Sequence, residues 1–200
     1  MGFEMEHFIT SFGGVLLRTS AGNYAVNGGA AAGDLRLLYL RSGEKLNALV
    51  LTSEHRNRSR GAASFAVEEN VPLYAPLPVC HMLPGFSIAL HRPVMFLPPT
   101  AVEVAGAKLE FRRLRGDSID PVFLILEADG CRVGVVPDGK LDRATAAPLF
   151  ACRKVLVGNR FNPEKSGRPG ALERRLRSVC NTDAELDELF AGYDGELVRF

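Results

Sequence analysis

The chain has few of the features that most often announce a function. Its four cysteines, Cys80, Cys131, Cys152 and Cys180, are scattered and contain no Cys-x-x-Cys pair. That argues against a disulfide framework and leaves four reduced thiols as the plain reading. Net charge is only +1, which argues against a chain built to coat nucleic acid non-specifically. No run approaches the ~20 apolar residues of a membrane span, so no membrane association is expected. The opening Met-Gly-Phe-Glu-Met-Glu-His carries acids where a secretory signal would carry bases, and a cytoplasmic location is expected. There is no Gly-x-Ser-x-Gly, phosphate loop or dinucleotide fingerprint. Internal repeats and low-complexity linkers are also missing.

What is present is an ordinary globular composition. Hydrophobic residues make up 46% and charged residues 24% of 200, enough for one substantial core and one domain over residues 1–200. Val15-Leu16-Leu17 and Tyr24-Ala25-Val26 read as short strands between glycine-containing turns. Asp34 is placed to cap a helix carrying Leu35, Leu38 and Tyr39, closed by Gly43. Ala48-Leu49-Val50-Leu51 reads as a buried strand, followed by a helix from about Arg58 to Glu69. Val71-Pro72-Leu73-Tyr74 reads as an edge-like strand, and residues 76–99, rich in proline, as irregular.

β signals then return. Lys108-Leu109-Glu110-Phe111 alternates, and Val122-Phe123-Leu124-Ile125-Leu126 turns at Asp129-Gly130 into Cys131–Val136. Asp142 caps a short helix broken near Pro148, and Lys154-Val155-Leu156-Val157 is a further strand. Two helices close the pattern. One places Leu172, Leu176 and Val179 on a common face, and the other opens with a Thr182–Glu185 capping box. Strand clusters with helices at intervals predict sheets packed on each other with helices outside.

The most informative segment is Val50-Leu51-Thr52-Ser53-Glu54-His55-Arg56-Asn57-Arg58-Ser59-Arg60-Gly61. It resembles the strand-to-helix junction Thr-His-x-His-x-Asp-His-x-x-Gly of the metallo-β-lactamase superfamily, with most ligands replaced. The segment Asp120–Asp138 is similar to the hairpin of the YycJ (WalJ) branch, cytosolic metal-dependent phosphodiesterases or nucleases. There Asp138 falls on an aspartate that bridges two metals. Ala171-Leu172-Glu173-Arg174-Arg175-Leu176-Arg177-Ser178 is similar to that branch's Ser-Leu-Lys-Arg-Arg-Ile-Arg-Ser helix. The resemblance spans roughly residues 20–190 and implies an α/β (α+β) fold, a four-layer αββα sandwich of the metallo-β-lactamase type.

The departures from that pattern carry the functional expectation. In this register the ligand slots hold Ser53, His55, Asn57 and Arg58, with Asn27 replacing a supporting aspartate and Gly116 an expected histidine. Val157-Gly158-Asn159-Arg160-Phe161-Asn162 stands where the branch has Glu-Ser-Asn-His-Asp. His55 and Asp138 alone survive at ligand positions. A catalytic zinc needs three protein ligands, and two-metal hydrolysis needs more. The expectation is a catalytically degenerate protein without the dinuclear centre, needing no cofactor and serving as a binding or assembly partner, to another protein or by self-association.

Alternatives stay open on the sequence alone. A single zinc or manganese ion could be held by His55, Asp138 and Cys180. Arg56, Arg58 and Arg160 could bind phosphate for a remodelled phosphoester hydrolase with His55 and Asp138 as base and orienter. Residues 153–177 carry eight basic residues against two acids, and residues 178–200 six acids against one base. Intramolecular pairing is favoured over nucleic-acid binding there, since the basic stretch lacks interleaved aromatics. Cys80-His81 are adjacent residues, which rarely face one another as a catalytic pair.

Overall fold

Apolar runs too continuous for a half-solvated strand need cover on both faces, and the chain supplies it. A computed structural model describes residues 5–11, 13–28, 32–83, 86–88, 93–158, 161–162 and 170–200. Sheet one holds β1 (Glu6–Ile9), β2 (Val15–Arg18), β3 (Asn23–Val26), β4 (Ala48–Val50), β5 (Leu73–Pro76) and β6 (Val94–Phe96), in that order. Sheet two holds β7 (Thr100–Val104), β8 (Ala107–Arg113), β9 (Val122–Ala128), β10 (Cys131–Val136), β11 (Lys154–Val157) and β12 (Glu196–Arg199), also in chain order. β1 to β3 are antiparallel, and β3 to β6 are parallel. β7 to β10 are antiparallel, and β10 to β12 are parallel.

Period-2 alternation divides each strand between two cores. Val15, Leu17, Tyr24, Val26 and Val50 meet Leu109, Phe111, Leu124, Leu126, Val133 and Val135 between the sheets. On the outside of sheet one, Leu16, Ala25, Leu49 and Leu73 pack under α1 (Ala32–Arg41), α3 (Ala62–Glu68) and α4 (Leu77–Met82). On the outside of sheet two, Phe123, Ile125, Val155 and Val157 pack under the 3-10 turn Ala147–Ala151 and α7 (Asp183–Leu189). The layers are therefore αββα, as expected.

The caps and turns follow local chemistry. Asp129 (φ 55°) and Gly130 (φ 69°) make the two-residue turn between β9 and β10, where both positions need positive φ. Asp142 caps the short α5 (Arg143–Ala146), and Thr182 with Glu185 forms the capping box of α7.

Several boundaries depart from the sequence reading. The helix expected over 58–69 is two pieces, α2 (Arg56–Ser59) and α3, because Gly61 takes φ 75° between them. α1 begins at Ala32, so Asp34 lies in its first turn rather than at its cap. β5 is flanked by β4 and β6 rather than lying at an edge. Residues 76–99 contain α4 and β6. β1 and β7 were not anticipated, and β12 follows the two C-terminal helices. α6 (Ala171–Val179) presents Leu172 to solvent at 68% exposure and buries Glu173, the reverse of what its heptad-like spacing predicts.

Candidate functional site

Parallel strands deliver their C-terminal ends to one side of a sheet, so the loops after β3, β4, β10 and β11 gather at one end of the sandwich. The loop after β4 is fixed by backbone pairing on both sides. Asn27, fully buried with φ 57°, accepts the Thr52 amide at 3.0 Å and donates to the Thr52 hydroxyl at 2.9 Å. An amide side chain can both donate and accept without burying a charge. The Val122 amide donates to the Thr52 carbonyl at 3.0 Å, which ties sheet two to the same loop. Gly28 donates to the Arg58 carbonyl at 2.7 Å and anchors α2.

His55 and Asp138 are brought together. His55 Nδ1 lies 2.8 Å from Asp138 Oδ2, and the Ser53 hydroxyl donates to that oxygen at 3.3 Å. The other ring nitrogen, Nε2, faces Asp117 at 3.4 Å, and the Arg175 guanidinium donates to Asp117 at 3.0 Å. The hydrogen bond to Asp138 holds the His55 pKa above its ordinary value. Burial opposes that shift, and the charges of Asp138, Asp117 and Glu54 add to it. Burial opposes ionisation of Asp117, but Arg175 and His55 hold its carboxyl below the usual carboxylate range. The chain Asp138–His55–Asp117–Arg175 alternates in charge when His55 is protonated.

Arg58 lies at the centre of the site. It is 7% exposed and donates to the Pro137 carbonyl at 3.0 Å. Its guanidinium fills the space left by the missing side chain of Gly13. A methyl group there would overlap Nη1 and lie 3.1 Å from Cζ. Burial lowers the Arg58 pKa and the Asp138 carboxylate works against that shift, so the group stays a cation.

Arg56 and Asn57 are exposed on α2, whereas Arg58 is buried. Arg160 lies outside the described residues. Cys180 is buried at the end of α6, with its amide on the Leu176 carbonyl. Gly116 is closely packed, since a Cβ there would lie 3.2 Å from Pro121 Cγ and 3.6 Å from Gly139 Cα. Sequence reasoning missed Gly13, Asp117 and Arg175. Gly13 read only as a turn, and Asp117 and Arg175 belong to separate segments that no spacing rule connects.

No family model and no curated protein matches the sequence. Solved structures do match. YhfI from Bacillus subtilis, a metallo-β-lactamase fold protein, superposes with a TM-score of 0.70 at 13% identity, over 94% of this chain and 88% of that one. A diphosphatase of the PhnP family gives 0.68 at 15% identity, over 92% and 69%. The fold is that of the metallo-β-lactamases. SMB-1, itself a metallo-β-lactamase, gives 0.63 at 11% identity, over 96% and 95%.

The metallo-β-lactamase fold implies a metal, and the side chains present here do not fit one. Both ring nitrogens of His55 face carboxylates, Asn57 points to solvent, and a buried guanidinium stands at the fourth slot of the motif. Among the described residues, no group of three or more His, Cys, Asp or Glu side chains is arranged to hold a metal ion. Of the trio His55, Asp138 and Cys180, the first two are in contact, and Cys180 is buried at the end of α6. Among the described residues, no helix is long and apolar enough to cross a membrane.

Proposed function

We propose that this chain is a catalytically degenerate metallo-β-lactamase-fold protein that lacks the dinuclear centre and works as a binding or assembly partner. The observation that carries the reading is the seat of Arg58, whose cation packs on Gly13, donates to the Pro137 carbonyl and neighbours Asp138. A metal ion and a buried guanidinium repel one another at short range. The pairing of His55 with two carboxylates supports the same reading, because it satisfies the ring within the protein.

The test is elemental analysis of protein purified without chelator or a metal-affinity tag. Zinc and manganese near zero per chain are expected. About one ion per chain would overturn the reading.

A second reading has one observation in its favour. The His55–Asp138 contact of 2.8 Å orients an imidazole as a general base is oriented, so a remodelled phosphoester hydrolase would use that pair. Arg56 would be the cation for phosphate, because Arg58 is turned to Pro137. It requires a phosphodiesterase activity that survives chelator and is lost in His55→Ala.

A further inference from the structure

Two cations from distant parts of the chain meet on one carboxylate. Asp117, in the loop after β8, places Oδ1 3.4 Å from His55 Nε2. Its Oδ2 accepts from Arg175 Nε of α6 at 3.0 Å and from Nη2 as well. His55 is fixed for this contact from behind, with Nδ1 2.8 Å from Asp138. Each ring nitrogen faces a carboxylate and must donate to it, so the ring is an imidazolium. Arg58 neighbours Asp138 and adds a third cation. Glu54, the other acid close to His55, is engaged by the Ser118 hydroxyl and, at 3.2 Å, by the Ile119 amide. Three cations therefore share two carboxylates, Asp138 and Asp117.

Those two carboxylates are held with unequal firmness. The Asp138 side chain is 8% exposed and also accepts the Ser53 hydroxyl at 3.3 Å and the Gly139 amide at 3.2 Å. The Asp117 side chain is 27% exposed and that of its partner Arg175 is 64% exposed. An ion pair so open to water contributes little and exchanges readily. The loop that carries Asp117 has other ties. The Lys140 amide donates to the Arg115 carbonyl at 2.6 Å, Glu54 holds Ser118 and Ile119, and Asp120 pairs with Arg113 at 3.4 Å. Asp117 can therefore leave His55 and Arg175 while its neighbours keep their contacts.

We propose that His55 and Arg175 form an oxyanion cradle, that Asp117 fills it as a tethered pseudo-ligand, and that the phosphoryl group of an incoming ligand displaces Asp117. The choice of ligand follows from the competitor. A free carboxylate has no advantage over one already tethered at an effective concentration in the roughly millimolar range. A phosphoryl group brings about −1.5 to −2 charges and three acceptor oxygens, and a guanidinium binds such oxygens through paired N–H donors. Asp117 thereby sets a threshold that simple carboxylates do not pass. The cradle binds and does not cleave, which separates it from the hydrolytic pair of the second reading. It deepens the binding reading and rests on it, because a metal on His55 would take a ring nitrogen that the cradle uses.

The experiment is a heteronuclear NMR titration of the full chain with inorganic phosphate at constant ionic strength. In wild type, phosphate should shift the His55 ring, the Arg175 Nε and the Asp117 amide signals, and acetate should not. Asp117→Ala should bind phosphate about tenfold more tightly, through loss of the competitor and of its repulsion. Adding Arg175→Ala to that variant should remove the gain. Circular dichroism checks that each variant is folded. A phosphoserine peptide is titrated alongside. Tighter binding than free phosphate places the phosphoryl group on a protein partner, and equal binding places it on a small ligand. Wild-type His55 and Arg175 signals that never respond to phosphate overturn the proposal. So does equal affinity in wild type and Asp117→Ala, or a gain that survives Arg175→Ala in metal-free protein. Zinc and manganese are measured on the same samples. Phosphate held by a metal, which would instead sink the degenerate reading, is recognised by its dependence on that metal and not on Arg175.

Discussion

Replacing Gly13 with alanine tests whether Arg58 is held as described. The magnitude has two parts. Gly13 has φ +78°, where a side chain costs about 1–2 kcal/mol. The new methyl would also overlap Arg58 Nη1, so the guanidinium must leave the Pro137 carbonyl. A hydrogen bond from a charged donor is worth about 1.5–3 kcal/mol. Gly13→Ala should therefore cost about 2.5–5 kcal/mol in all. In an Arg58→Ala background the overlap no longer exists, and the same substitution should cost only the backbone part, about 1–2 kcal/mol. The double-mutant cycle should thus show a coupling of about 1.5–3 kcal/mol. Urea unfolding followed by far-ultraviolet circular dichroism is the suitable assay, since the chain has no tryptophan to report by fluorescence. Additive effects, within about 0.5 kcal/mol, would show that Gly13 and Arg58 do not share the space and would refute the reasoning.

Other outcomes follow from the same site. His55 has its pKa raised by Asp138 in the folded state, so its stabilisation is fully present below the unfolded value near 6.5 and is lost as pH rises through the folded value. The stability gap between wild type and His55→Asn, measured across pH, should accordingly be widest in mild acid and should close on the alkaline side; a gap that widens with pH contradicts this. Asp117→Asn should speed amide hydrogen exchange in residues 115–120 and in α6 while costing less than about 1 kcal/mol globally, because its ion pair with Arg175 is partly exposed. Unchanged exchange would mean the loop is braced elsewhere. Equilibrium dialysis against zinc should give wild type and His55→Ala the same low occupancy, whereas a loss on substitution would identify His55 as a ligand.

The layers were legible because they follow from alternation. Val122–Leu126 and Lys154–Val157 are apolar on both faces, and only a strand covered on both sides explains that. The caps at Asp142 and Thr182 were legible because their chemistry is local. β1, β7 and β12 were not, since each is short, half-exposed and defined by its partner strand. α6 misled the reading because its Leu172 spacing predicts burial, whereas the helix is turned so that Arg175 reaches Asp117 and Glu173 goes inward. At the site, the junction after β4 pointed to His55 and Arg58, and the hairpin ending at β10 pointed to Asp138. The role of Gly13 was hidden, because a glycine needed for a turn and one needed for a neighbour's guanidinium look the same in a sequence.

Each sheet is assembled wholly from strands in chain order, β1 to β6 and then β7 to β12. Every strand pairing in one half is therefore with a neighbour in the same half. Gly13, Asn27, Thr52, His55 and Arg58 belong to the first half, and Asp117, Pro137, Asp138 and Arg175 to the second. A chain cut between β6 and β7 would leave two polypeptides, each with the strand pairings of its own sheet and neither with the site. Recombination of such fragments, driven by the apolar layer between the sheets, would restore fold and cluster in one event, so the site would report on reunion of the halves.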